Sequence, residues 1–196
     1  MSKNLITPQK PVIVVDVWVS KYTTQNMNAD MLADFARVTS SKAHKSRYDF
    51  LKDCVCNLKR HQWHIRMPRF QNASYNAAKC LVKDGVDTTS YNDFEELYNA
   101  VRQSIQGVYG VGDCVIYECS LRLGHTMGLS PDKYVYIHAR PKEALKALLG
   151  RNGQLKIRGN SFRVKRQELV QIFSSLCQLK SAEIEDLLCF IYDVLN

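Results

Sequence analysis

Ser104-Ile-Gln-Gly-Val-Tyr-Gly-Val-Gly-Asp-Cys-Val-Ile-Tyr-Glu-Cys-Ser-Leu-Arg-Leu-Gly124 is the stretch on which the fold reading turns. Upstream of it, Phe94, Leu97, Tyr98, Val101 and Ile105 recur at steps of three and four, the spacing of one apolar helical face. Gly107 ends that helix, and a Gly-rich turn follows through Gly112. A second helix then starts at once, with Val115, Cys119, Leu121 and Leu123 carrying it to about Gly124 or Gly128. Two amphipathic helices joined by so short a turn must pack against each other, which points to a helical architecture.

The flanking segments read the same way. Residues 1–11, polar and holding Pro8 and Pro11, form a loose arm, and Val12 to Val19 is either a short strand or the first turns of a buried helix. Asn28 or Asp30 caps a helix through Met31, Leu32, Phe35 and Val38, and another fits Ser46 to about His61. Pro68 breaks the pattern, and a helix from Asn72 or Ser74 runs to Gly85. Tyr134 to Ala139 is extended, Pro141 opens the next helix at its first position and Gly150 ends it. Leu155, Ile157, Phe162 and Val164 suggest a small hairpin within Arg151 to Arg166. Helices over Gln167–Leu176 and Ser181–Leu195 close the chain, the last with Ile184, Leu187, Leu188, Ile191, Val194 and Leu195 as a wide apolar face. The expected fold class is mainly α: a flexible arm over residues 1–11, then one helical domain over residues 12–196 with a few short strands, its hairpin at residues 104–124.

The chain has 196 residues, a 45% hydrophobic share and a net charge of +8, which suits one globular domain and excludes a disordered or low-complexity chain. No apolar run approaches the roughly 18 residues of a membrane helix, and Val12–Val19 lacks a signal-peptide cleavage site, so a cytoplasmic protein without a membrane partner is expected. The seven cysteines are odd in number and irregularly spaced, which fits reduced, core-packed thiols. Cys54, Cys56, His61 and His64 do not match zinc-ligand spacing, so neither a metal nor another cofactor is expected.

Charge is segregated along the chain. Lys42 to Arg69 holds eight basic residues against two acidic ones, and Arg140 to Arg166 nine against Glu143 alone. Between them, Asp84 to Glu118 holds seven acidic residues and only Arg102. Basic blocks of this kind attract a polyanion. His61, Trp63, His64, Arg66, Arg69 and Phe70 interleave bases with aromatics near Pro68, a composition that suits stacking on nucleobases.

Val108 and Tyr109 before Gly110-Val111-Gly112, with Val115, Ile116 and Cys119 on the following helix, resemble the helix-hairpin-helix motif over about 20 residues. The physical logic is that glycines let the backbone approach a phosphate, while the unpaired N–H groups and positive dipole end of the second helix favour an anion. Val111 points inward and locks the two helices, whereas Asp113 brings a negative charge beside the phosphate position.

The resemblance extends distantly to the helix-hairpin-helix base-excision glycosylases. It implies a catalytic lysine at position 114 in members with lyase activity, and here that residue is Cys114. It also implies a catalytic aspartate. Counting about 20 residues on from Gly112 reaches Asp132, whereas matching the apolar stretch before a helix, Tyr136-Ile-His-Ala-Arg-Pro, puts His138 there. The expected function is therefore duplex DNA binding with little sequence preference, in a DNA-repair setting. Gly110, Val111 and Gly112 would make the backbone contact, and Lys142, Lys146, Lys156, Arg158, Arg163, Lys165 and Arg166 the electrostatic surface. One alternative is a helical module for a protein partner, its hairpin only a packing corner and its acidic helices, Asp93 to Glu118 and Glu183 to Asp193, the contact. A second is a monofunctional glycosylase-like enzyme using Asp132 or His138.

Overall fold

A computed structural model describes residues 9–55, 68–153 and 163–195. The protein is mainly helical, with one two-stranded sheet among the described residues. The elements are α1 (Gln9–Thr24), α2 (Ala29–His44), α3 (Arg47–Val55), α4 (Pro68–Asp84), α5 (Phe94–Ile105), α6 (Asp113–Met127), β1 (Tyr134–Tyr136), α7 (Ala139–Gly153), β2 (Arg163–Lys165), α8 (Arg166–Ile172), a 3-10 turn (Ser174–Gln178) and α9 (Ser181–Leu195). They divide into two compact units. One spans residues 30–130, and the other joins residues 1–29 to residues 131–196.

In the unit of residues 30–130, α3 packs on α4 and α6, α4 on α5, and α5 on α6. The stripe on α5 is as its spacing requires: Phe94, Leu97, Tyr98, Val101 and Ile105 are all buried. Asp93 caps α5 by accepting a hydrogen bond from the Glu96 N–H at 3.0 Å. Of the two expected ends of helix α6, Gly128 is its C-cap, and the helix runs through Gly124 to Met127. A Cβ at Gly124 would lie 2.9 Å from the Leu129 carbonyl oxygen and 3.2 Å from Phe94, so this glycine serves the close approach of α5 and α6. Arg122, 3% exposed, ties the unit together from within. Its Nε donates to Asp34 at 2.6 Å, its Nη1 to the Cys54 carbonyl at 2.8 Å, and its Nη2 to Glu118. Burial opposes the charge on Arg122, but the carboxylates of Glu118 and Asp34 outweigh it and hold the guanidinium above its ordinary pKa.

The other unit has a core of Val15, Val19 and Tyr22 from α1, Val135 and Ile137, Leu145 and Leu148 from α7, and Ile184, Leu187, Leu188 and Ile191 from α9. Val12–Val19 is helical, because steps of four and three put Val15, Val19 and Tyr22 on one buried face. Residues 9–11 form the first turn of α1 rather than a loose arm, and residues 1–8 lie outside the described residues.

Several boundaries differ from the sequence expectation for physical reasons. Pro68 opens α4 instead of breaking the pattern, at a first position where a missing N–H costs nothing. Helix α7 starts at Ala139, two residues before Pro141, still inside the first turn, and Gly150 (φ 64°, ψ −172°), expected to end it, breaks it into two stretches that together reach Gly153. The strand at Arg163–Lys165 pairs antiparallel with β1, Tyr134 opposite Lys165 and Tyr136 opposite Arg163. Leu155, Ile157 and Phe162 lie outside the described residues. On α9, Val194 and Leu195 are exposed rather than part of the apolar face, while Glu185 and Asp186 are buried. Cys177 is exposed, unlike a core thiol.

Candidate nucleic-acid interface

After Ile105 the chain turns tightly between α5 and α6. The Val108 N–H donates to the Ile105 carbonyl at 3.0 Å, and the Val111 N–H to the Val108 carbonyl at 3.0 Å. Val108 and Val111 are half-buried, which holds the turn onto the two helices, while Tyr109, Gly110 and Gly112 are exposed. The two glycines are there for different reasons. Gly110 has φ +88°, a left-handed conformation that favours glycine, and a Cβ on it would meet the Ala73 Cβ of α4 at 3.2 Å. Gly112 has an ordinary extended backbone (φ −109°, ψ 178°) and open space around its missing Cβ.

Gly112 is the N-cap of α6 and offers no side chain to its first turn. Ser, Thr, Asp and Asn, which share the preference for this position with Gly, would place an oxygen over the first-turn N–H groups. Asp113 follows, and its Oδ1 lies 3.5 Å from Arg102 Nη1 on α5. The carboxylate that the sequence sets against an anion here is thus countered by the one basic residue of the acidic segment.

The other candidate residues belong to the second compact unit. Asp132, Lys133, Tyr134, Lys165, Arg166, Gln167 and Val170 line a groove of about 480 Å³. Its geometry follows from the β1–β2 register and from the Arg166 N–H donating to the Lys133 carbonyl at 3.0 Å. The Arg163 guanidinium lies over the Tyr134 ring, 4.5 Å from its centroid. Arg166 is a brace more than a free cation: it donates to the Leu179 carbonyl at 2.7 Å and the Cys177 carbonyl at 2.9 Å. Lys165 is exposed, Lys142 is half-buried, and Lys146 pairs with Glu143 at 2.5 Å. Lys156 and Arg158 lie outside the described residues, as do Cys56, His61, Trp63, His64 and Arg66.

Asp132 and His138 have different settings. Asp132 is exposed on the groove, and its carbonyl accepts from Ser181 Oγ at 3.3 Å. His138 Nε2 lies 2.8 Å from Glu185 Oε1, with the two side chains 12% and 5% exposed. Cys189 Sγ donates to the same oxygen at 3.3 Å, and Asp186 accepts from the Tyr22 hydroxyl at 2.9 Å. The protein-partner alternative set Glu185 and Asp186 within an acidic contact helix, Glu183 to Asp193. Their buried partners, Tyr22 and His138, are remote in sequence, and no local periodicity announces them.

Comparison with protein families, curated proteins and solved structures finds no match to this chain. No helix among the described residues is long and apolar enough to cross a membrane.

Proposed function

We propose that this protein binds duplex DNA through its phosphate backbone, with a hairpin of the helix-hairpin-helix type between α5 and α6 as the principal contact. Gly112 carries the reading. It is exposed, in a conformation any residue adopts, and uncrowded, so neither backbone strain nor packing calls for a glycine there. A helix start without a side chain over it lets a phosphate oxygen approach the first-turn N–H groups and the positive end of the dipole. Arg102 offsets the neighbouring Asp113. In the second compact unit, Lys165 and Lys133 on the groove supply positive charge of the kind that holds a polyanion without reading its sequence.

The test is equilibrium binding of a labelled duplex across a salt series, with wild type beside Lys165→Gln. Counterion release makes the affinity of wild type fall steeply with salt, and loss of one phosphate contact shallows the log–log slope by about 1. Absence of binding at low salt, or binding indifferent to salt, overturns the proposal.

A further inference from the structure

Tyr109 is 85% exposed, the most exposed of the large hydrophobic residues in the described chain, where the other exposed ones lie between 43% and 59%. Other tyrosines of the same unit are placed differently. Tyr98 and Tyr117 are buried, and the Tyr75 ring is flanked by Tyr48, 5.5 Å between centroids, and by Lys79 Nζ at 4.1 Å. Tyr109 has no hydrogen-bond or ring partner among the described residues. An aromatic ring left in water forfeits the burial that usually rewards it.

The turn holds it there. Val108 and Val111 fold onto the helices and are linked by a 3.0 Å backbone hydrogen bond, leaving the residue between them and Gly110 pointing away. Gly110, at φ +88° and against Ala73, reverses the chain directly after Tyr109. The ring thus stands on a braced tip, three residues before the open start of α6. A backbone contact at Gly112 would bring the ring to the edge of the neighbouring base step.

We propose that Tyr109 is a base-stacking residue that enters DNA where the stack is interrupted, at an abasic or unpaired position. This rests on the hairpin being the DNA contact. An aromatic face stacks on any base, so the selectivity is for an opening in the helix and not for sequence. An intact duplex presents no such opening, and there the phosphate contacts act alone.

The experiment compares wild type, Tyr109→Ala and Tyr109→Phe on an intact duplex and on the same duplex with one abasic site flanked by 2-aminopurine. The ring is solvent-exposed, so the substitutions leave the fold intact, checked by circular dichroism. Wild type and Tyr109→Phe bind the abasic duplex about tenfold more tightly than the intact one and quench the 2-aminopurine, the scale set by a single stacked base. Tyr109→Ala loses the preference and the quenching, while its affinity for intact duplex and its salt slope stay the same. Preference and quenching retained in Tyr109→Ala overturn the proposal. So does wild-type binding of intact duplex with no abasic preference, which leaves the DNA reading standing. No binding of either duplex by wild type refutes the DNA reading and the stacking role together. A change only in sedimentation of Tyr109→Ala would make the ring a contact between copies of the chain, contradicting the proposal.

Discussion

Arg102 on α5 reaches across the hairpin to Asp113 at the start of α6, with 3.5 Å between Nη1 and Oδ1. Arg102 also donates to the Tyr98 hydroxyl at 3.2 Å, so its guanidinium is held on the α5 side of the turn. The pair sits beside the open N-cap Gly112, and in the proposed reading it decides how much negative charge an approaching phosphate would meet. Both side chains are about one-third exposed, so the pair adds no more than about 1 kcal/mol to stability. Its weight falls on what approaches the turn.

Asp113→Asn removes a charge that opposes the ligand and releases Arg102. Affinity for duplex DNA rises by about three- to tenfold at low salt, and the gain shrinks as salt screens it. Stability drops by about 0.3–1 kcal/mol, because an acidic residue in the first turn complements the helix dipole. Titrations at two salt concentrations check the first outcome, and urea denaturation the second.

Gly110, Gly112 and Gly124 separate by what each is for. Gly112→Ala costs about 0.5 kcal/mol, since backbone and space are both permissive and Ala is only a poorer cap. Gly110→Ala costs about 1–2 kcal/mol for the left-handed conformation, with the 3.2 Å approach to Ala73 added. Gly124→Ala costs about 1–3 kcal/mol, because a Cβ there would lie 2.9 Å from the Leu129 carbonyl just past α6 and 3.2 Å from Phe94 on α5. Denaturation of the three variants gives the order directly, and an equal cost at all three would refute this division.

Removing the buried cation of the same unit is far more severe. Arg122→Met leaves Asp34 and Glu118, 12% and 14% exposed, without their shared partner. Breaking such a network from one side costs about 3–5 kcal/mol. Urea midpoints measure it, and a loss below about 1 kcal/mol would mean that the network is hydrated like a surface pair.

The Asp53 carboxyl gives the same unit an acid-sensitive clasp. Burial raises its pKa, but hydrogen bonds from Lys45 at 2.7 Å and Ser41 at 2.6 Å, with the charges of Lys45 and Arg37, outweigh burial and hold it below its ordinary value of 3.8. A depressed folded pKa adds stability that is fully present above 3.8 and is lost as pH falls through the folded value. Asp53→Asn is therefore less stable than wild type at neutral pH, and the gap closes in acid below that range. Denaturant midpoints of both proteins across an acid series check the sign; a gap that widens in acid would contradict it.

Thiol chemistry sorts by burial. Cys54 and Cys119 are fully buried; burial drives the Cys54 thiol well above its ordinary pKa of 9.0 and pushes that of Cys119 up to about 12. Cys177 is exposed. Iodoacetamide at mildly alkaline pH labels Cys177 in the folded protein, and Cys54 and Cys119 only after denaturant is added, as peptide mass spectrometry would show. Early labelling of Cys119 would contradict the packing of α6.

Much of the helical frame was legible in the chain, and the reason is local. The α5 stripe and the Gly110–Gly112 turn carry their own periodicity and punctuation, so spacing alone delivers them. Lengths fared worse where the decision is tertiary. Gly124 and Gly128 were both candidate stops because glycine usually is one; Gly128 is the C-cap, while Gly124 admits α5. The pairing of Lys165 with Tyr134 depends on two segments some 30 residues apart in sequence, which no short window registers. The candidate site was legible in part. The turn was found, and so was the clash posed by Asp113, but not its answer in Arg102, which lies on the preceding helix. That Gly110 and Gly112 differ in conformation and crowding is a tertiary property, which two identical letters do not carry.

Gly112→Asp puts the central claim to the sharpest test. Aspartate is a strong N-cap, so this variant folds at least as stably as wild type, with an unchanged or raised melting temperature. It also places a carboxylate where the phosphate would sit. At low salt, the account predicts that wild type binds a labelled duplex and that Gly112→Asp loses at least tenfold in affinity while remaining fully folded. Equal affinity in the two folded proteins would contradict it and make the hairpin a packing corner.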